Sequence, residues 1–287
     1  MSLKTNKELL DRAKAEGYAV GAFNVNNIEQ TIAALEAAEE EKSPIIIAVT
    51  EGAIKYVGEP FFFDAVPKML EAAGVPASLH LDHGKKMEMI MKCVGKGFTS
   101  VMYDGSSLSF EANVAETRKV AEAAKARRVS VEGEIGRVGG VESGVSSAPG
   151  GDEELLTDPE EAKRFVELTG IDSVAVAVGT VHGMRKQTAK IDLDRISAIA
   201  ALVTVPLVLH GASGAPDETC VEVVKRGIHK INIGTELQKS FARGVADFIA
   251  SNPDVIDPRK ILRPGMNTMK EAVRNKIRLF GSAGRAW

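Results

Sequence analysis

Short apolar runs alternate with longer amphipathic stretches along this chain. The runs fall at residues 18–25, 44–50, 77–82, 100–104, 130–134, 173–178, 206–210 and 230–234. They are rich in Val, Ile, Leu and Ala and show little strict polar alternation, as expected of strands covered on both faces. Between them, residues 27–41, 109–126, 158–168, 192–201 and 215–226 repeat apolar positions at helical spacing. Thr157 reads as the cap of the third helix, with Pro159 in its first turn. Eight strand–helix alternations predict an α/β fold, a parallel sheet closed into a single (β/α)8 TIM barrel over residues 1–287. About fifty residues follow the last strand, enough for two or three extra C-terminal helices, one around 266–280. The longest connection, 135–156, is rich in Gly and Ser. It follows the fifth strand, so it belongs to the face where barrels carry their chemistry.

Composition narrows the function classes. With 36 basic and 39 acidic residues the net charge is −3, which excludes a strongly basic nucleic-acid binder or a polybasic membrane binder. A local basic pocket for a phosphorylated substrate remains open. Aromatic residues are only 5% of the chain, too few for a stacking platform for single strands. The two cysteines, Cys93 and Cys220, predict neither a disulfide framework nor a Cys-based zinc site. The N-terminal segment lacks the apolar core of a signal peptide, and the apolar runs are strand-sized. These features predict a cytoplasmic protein with no membrane or nucleic-acid partner.

Three of the five histidines sit at matched places. His83, His182 and His210 each follow or end a predicted strand, the third, sixth and seventh, and each precedes a Gly. Any one alone would read as an ordinary rim residue. On one barrel rim, three neutral imidazoles can hold Zn2+ and leave a position open for substrate. Asp82 beside His83 is placed for general acid or base work, or for orienting a ligand. His80 points the same way as Asp82 but deeper, and reads as a layer residue. His229 opens the last strand at the opposite face. HGASG at 210–214 and NIGTEL at 232–237 follow strands seven and eight, where backbone N–H groups commonly cradle a phosphate. Gly183 can add another amide. Glu132 and Glu134 share one face of strand five, and Asp104 ends strand four. They can bind metal or substrate, or pair inside the barrel. Glu142 lies in the Gly-rich connection, where a mobile acid or base would serve. Lys230 opens strand eight at the wrong end for a Schiff base.

The segments GAFNVNN, LHLDHG, GFTSVMYDGS, VEGEIGRVGG, VGTVHG, LVLHGASG, KINIGTEL and DPRK, in this order from about Leu9 onward, resemble the class II, metal-dependent ketose-bisphosphate aldolases. The resemblance implies a zinc (β/α)8 barrel. Such enzymes cleave a ketose 1,6-bisphosphate to dihydroxyacetone phosphate and an aldehyde, and run the reverse condensation. By motif, His83, His182 and His210 match the zinc ligands, and Asp82 the residue that handles the C4-hydroxyl proton. Glu142 matches the loop acid acting at the nascent carbanion, and Asn232 the side chain that steadies the enediolate. Gly183, Gly211, Ser213 and Thr235 match the phosphate pocket, and Asn24 and Thr50 further pocket residues. Arg259 matches an arginine that reaches the other phosphate, in some members across a subunit interface. Asp104 and Glu134 match ligands of an alternative metal position. The resemblance implies a homodimer or homotetramer, and a monovalent cation activates some relatives.

The chain departs from the family pattern at specific places. Gly234 stands where fructose-type members carry Asp and tagatose-type members a small residue. Ser143 stands for a common Asp, Thr50 for a frequent Ser, and MRKQTAK at 184–190 is unusually basic. These departures place tagatose 1,6-bisphosphate slightly ahead of fructose 1,6-bisphosphate. A deoxy-ketogluconate phosphate, a metal-independent sugar-phosphate isomerase and an inactive sugar-phosphate-binding barrel are the rivals.

Overall fold

All eight predicted strands form, and they close on themselves. In a computed structural model describing residues 3–142, 145–146, 156–184 and 186–287, the barrel strands are β1 (Val20–Asn24), β2 (Ile45–Thr50), β3 (Ala77–Gly84), β4 (Ser100–Tyr103), β5 (Ser130–Ile135), β8 (Ser173–Val176), β10 (Leu207–Leu209) and β11 (Ile228–Ile233). Three short strands complete the set: β6 (Gly139–Glu142), β7 (Val145–Ser146) and β9 (Val181–His182). At 141, 142, 145 and 146 only the backbone is described. The barrel order is β1-β11-β10-β8-β5-β4-β3-β2, parallel throughout. The helices are α1 (Asn6–Glu16), α2 (Ile28–Glu40), α3 (Glu51–Val57), α4 (Val66–Ala72), α5 (Met87–Gly95), α6 (Phe110–Lys125), α7 (Pro159–Thr169), α8 (Leu193–Leu202), α9 (Asp217–Lys225), α10 (Thr235–Ser251) and α11 (Pro258–Leu279). Among the described residues, no helix is long and apolar enough to cross a membrane.

Strand alternation explains the continuous apolar runs. One parity, such as Ile45, Ile47, Leu79, Leu81, Val174, Val176, Ile231 and Ile233, packs against the helices in one large core. The other parity fills the barrel, with Val20, Ala22, Ile46 and Ala48 in one cluster and Met102, Ala175 and Val208 in another. Above and between these apolar plugs, the inward positions turn polar.

Four features depart from the expectations. Helix α1 was not foreseen, although Thr5 and Glu8 form a reciprocal capping box at its start. Its Leu9, Leu10 and Ala13 pack on the lower barrel plug, and buried Asn6 points into the barrel. The cap of α7 is Asp158, which accepts from the Glu160 and Glu161 N–H groups. Thr157 is instead buried, donating to the Ile135 carbonyl and accepting from the Ala177 N–H. The long connection carries a hairpin, β6 with β7, and β6 also pairs with β9. Of the helices after β11 there are two, α10 and α11, and α11 begins eight residues earlier than expected at Pro258 and packs on both α2 and α10.

Candidate active site

Asp82 continues the inward parity of Ser78 and His80 on β3, so simple alternation would send His83 out toward the helices. The backbone breaks that alternation. His83 has φ 49, left-handed and costly for a non-Gly residue, and the β3–β4 register shifts between Leu81 and Gly84. Both side chains therefore serve the same mouth of the barrel.

His182 arrives from β9. Its neighbour across β6 is Gly140, whose φ is +98. A Cβ there would sit 2.3 Å from the His182 carbonyl oxygen, so glycine is required for the strands to approach. His210 directly follows β10 at the inward parity of Val208. The His83 ring centroid lies 4.9 Å from that of His182 and 4.6 Å from that of His210. One nitrogen from each of the three rings falls within 4.8 Å of the others, a spacing able to hold a metal ion. His210 Nδ1 is buried and has no hydrogen-bond partner; it lies 4.0 Å from Asp82 Oδ1. Asp82 is fully buried. Its Oδ2 accepts from Asn24 Nδ2 at 2.7 Å and its Oδ1 from Asn232 Nδ2 at 3.0 Å, which fixes the carboxylate plane.

A second group that could hold a metal shares His83. His83 Nδ1 lies 3.1 Å from Asp104 Oδ2 and 3.7 Å from Glu134 Oε2. Burial pushes the Asp104 carboxyl up, but His83 and the Ser106 hydroxyl outweigh it and hold it below the usual carboxylate range. Glu134 goes the other way: burial and the Asp104 charge push it up to about 8.

The loops after β9, β10 and β11 converge beside this cluster. Gly183 and Gly211 take left-handed φ values of 75 and 67, and a Cβ on Gly211 would press on the Val181 backbone at 3.1 Å. Ser213 Oγ, in the turn Ala212–Gly214, accepts from the Glu236 N–H. Thr235 begins the 17-residue helix α10, with Gly234 at its cap, so the positive end of the helix dipole faces the rim. A Cβ on Gly234 would meet Asn24 Oδ1 at 3.2 Å, within reach of a small adjustment. Thr50 is buried at the mouth and caps α3 by accepting from the Ala53 N–H.

One expected residue is not brought into the cluster. Arg259 sits in the first turn of α11, its side chain 89% exposed and paired with Asp257. Glu142 has its backbone in β6, opposite Val145, and its side chain lies outside the described residues, as does Ser143.

Of the alternatives open to Glu132, pairing inside the barrel is the one the structure shows, with Lys230 as a partner that the sequence pattern did not name. Lys230 and Glu132 are fully buried inside the barrel, with Nζ 2.8 Å from Oε2. Burial pushes Glu132 up, but Lys230, His210 and His80 outweigh it and hold it low. Burial, then Lys230, push His80 down to about 3. The signal was available: Glu132 and Lys230 have inward parity on their strands, and opposite charges inside one barrel must pair.

Comparison with known proteins gives a consistent picture. The family model described as fructose-bisphosphate aldolase class-II matches residues 4–285. A fructose-bisphosphate aldolase of Thermus caldophilus is 46% identical over 307 residues, covering 99% of this chain and all of that protein. The YdjI aldolase of Escherichia coli K12 superposes with a TM-score of 0.86 at 33% identity, over 99% of this chain and all of the other. The fructose-bisphosphate aldolase of Campylobacter jejuni does so with a TM-score of 0.82 at 26% identity, over 98% and 96%.

Proposed function

The chain belongs to the class II fructose-bisphosphate aldolase family, and we propose that it cleaves a ketose 1,6-bisphosphate, of fructose or tagatose type, reversibly to dihydroxyacetone phosphate and glyceraldehyde 3-phosphate. The observation that carries this reading is the meeting of three imidazoles beside a buried carboxylate clamped by two amides. His83, His182 and His210 would hold one zinc ion per chain. Their donor set suits it, and the buried, unpartnered Nδ1 of His210 is the kind of atom a metal satisfies. When bound, zinc supplies a Lewis acid for the negative charge that develops on the ketose oxygens as the C3–C4 bond breaks.

The chain's own residues do the rest. Asp82 takes the C4-hydroxyl proton, held in place for it by Asn24 and Asn232. Asn232 sits at the same inward level and steadies the developing enediolate. Glu142 exchanges the proton at C3. Gly183, Gly211, Ser213 and Thr235 cradle the phosphate of the dihydroxyacetone half, aided by the N-terminus of α10. Thr50 lines the pocket. Anchoring both phosphates sets the breaking bond over the acid–base groups. Arg259, exposed here, reaches the second phosphate in a neighbouring copy, which makes the working form a homodimer or homotetramer. Asp104 and Glu134, with His83, form an alternative metal position. We place the protein in the cytoplasm.

Gly234 bears on the sugar. It leaves the space beside Asn24 without a carboxylate, so the pocket accepts either configuration of the C4 hydroxyl, with the tagatose form slightly favoured. Retro-aldol rates on fructose and tagatose 1,6-bisphosphate, measured side by side with and without chelator, test the reading. We expect chelator-sensitive release of dihydroxyacetone phosphate from both. Activity that survives chelation would point to a metal-independent enzyme. Failure to cleave either, with zinc bound, would point to a different phosphorylated ketose.

A further inference from the structure

Beneath the three imidazoles lies a polar axis that the proposed mechanism leaves idle. It runs from helix α1 to the rim. Asn6 Nδ2 lies 3.2 Å from His80 Nδ1, which also lies 2.8 Å from Ser100 Oγ. His80 Nε2 lies 3.4 Å from Lys230 Nζ. Lys230 Nζ lies 2.8 Å from Glu132 Oε2, and Glu132 Oε1 lies 2.8 Å from His210 Nε2. His80, Glu132, Lys230 and His210 are all fully buried.

This geometry dictates where the proton on His210 resides. A buried ammonium 2.8 Å from a buried carboxylate requires that carboxylate to be charged, since neither charge is tolerated alone. A charged carboxylate only accepts hydrogen bonds. Nε2 of His210 must then carry the proton and donate it to Glu132. In a neutral imidazole the other nitrogen, Nδ1, bears the lone pair. Nδ1 is also the atom that lies 4.0 Å from Asp82 Oδ1 at the mouth. Of the two nitrogens, the interior ion pair reserves one and leaves the other for a metal.

We propose that Glu132, balanced by Lys230, is a positioning residue that fixes the Nε2–H tautomer and ring orientation of His210, so that Nδ1 is its metal-binding atom. The proposal rests on the zinc reading of His83, His182 and His210. It gives a role to the lysine and the glutamate buried at the centre of the barrel. It also separates His210 from His83, whose carboxylate neighbours, Asp104 and Glu134, lie at the rim.

The test is zinc affinity, measured by competition with a chelator on metal-stripped protein. Native protein should bind tightly. Glu132→Gln offers either an amide oxygen or an N–H to Nε2, so the tautomer is no longer dictated. It should bind zinc roughly 10- to 100-fold more weakly. Because it leaves the buried Lys230 without its counter-charge, the melting temperature of the stripped protein should fall. Glu132→Gln combined with Lys230→Met, which removes both charges, should relieve that fall and keep the weaker zinc binding. Glu132→Asp, which keeps the charge, should recover part of the loss. The visible spectrum of the cobalt-loaded Glu132→Gln protein should differ from that of native. Nitrogen-15 NMR of histidine-labelled, metal-free native protein gives an independent answer even where a variant does not fold. His210, assigned by its loss in His210→Gln, should show the Nε2–H tautomer. Unchanged zinc affinity and cobalt spectrum in Glu132→Gln, or an Nδ1–H tautomer in the native protein, would overturn the proposal while leaving the zinc reading intact. A native protein that binds no zinc would overturn both.

Discussion

The two ends of the barrel are built from similar polar residues but treat them differently. At the bottom, Asn6 from α1 bonds Ser130, Ser78 and His80, and His80 also bonds Ser100. Each member of that network has a partner, and α1 closes it from water. At the mouth, polar groups are just as buried but left partly open. Asn24 Oδ1, Asn232 Oδ1 and His210 Nδ1 have no hydrogen-bond partner, and His83 sits in a costly backbone conformation. Satisfied buried polar groups stabilise a fold; unsatisfied ones in a native protein ask for a ligand. The bottom is therefore read as structure and the mouth as chemistry.

Substitutions should separate the two ends, the largest effects coming first. At the mouth, Asp82→Asn keeps the shape and removes the proton acceptor. Its kcat should fall by about 10²- to 10⁴-fold with little change in Tm, read by steady-state kinetics beside calorimetry. His182→Ala should lose both metal and cleavage yet remain folded by circular dichroism. Inside the barrel, Lys230→Met strands the buried Glu132 charge and should cost roughly 3–5 kcal/mol in urea unfolding. If His182→Ala destabilised the stripped protein more than Lys230→Met, the division between the ends would fail.

Acid should act first on the buried network. His80 is held down to about 3, below the value near 6.5 of an exposed imidazole. The unfolded chain therefore takes up a proton before the folded one. This contribution is fully present above about pH 6.5 and is lost as pH falls toward about 3. Glu134, pushed up to about 8, acts in the opposite sense over the upper part of that window, so the measurement is a difference. Urea unfolding of metal-stripped native protein should lose more stability on acidification from about pH 6.5 toward 3 than His80→Gln does. An identical pH dependence in the variant would remove His80 from the account. The smallest expected effect is at Gly234. Gly234→Asp places a carboxylate against the Asn24 side chain and should shift the fructose-to-tagatose ratio of kcat/KM by about tenfold, toward fructose. An unchanged ratio would show that this position does not read the hydroxyl.

Much of this was legible in the chain itself. The eight apolar runs marked the strands because both faces of a barrel strand are covered, and Gly after each of His83, His182 and His210 marked the rim. Asp82 was marked by its place beside His83, and Asn232 and Asn24 by the resemblance of their motifs to the aldolase family. What escaped has physical reasons. The left-handed backbone at His83 depends on packing across β3 and β4, which periodicity does not report. The β6–β9 pairing joins segments far apart in sequence and hangs on Gly140. The Glu132–Lys230 pair needs parity on two distant strands to be read together, and α1 is short, with its signals confined to a capping box at Thr5–Glu8, three buried apolar positions and Gly17 at its end. Arg259 was marked by motif alone, and in the fold its exposed side chain pairs with Asp257.

The most direct test of the central claim, that three imidazoles at the mouth hold one metal that cleavage requires, is a metal titration. Protein stripped by chelator is given increasing zinc while dihydroxyacetone phosphate release from a ketose 1,6-bisphosphate is followed. The account predicts activity that rises from background and breaks at about one zinc per chain, with His182→Ala giving no rise. Full activity before any zinc is added, or an equal rise in His182→Ala, would contradict it.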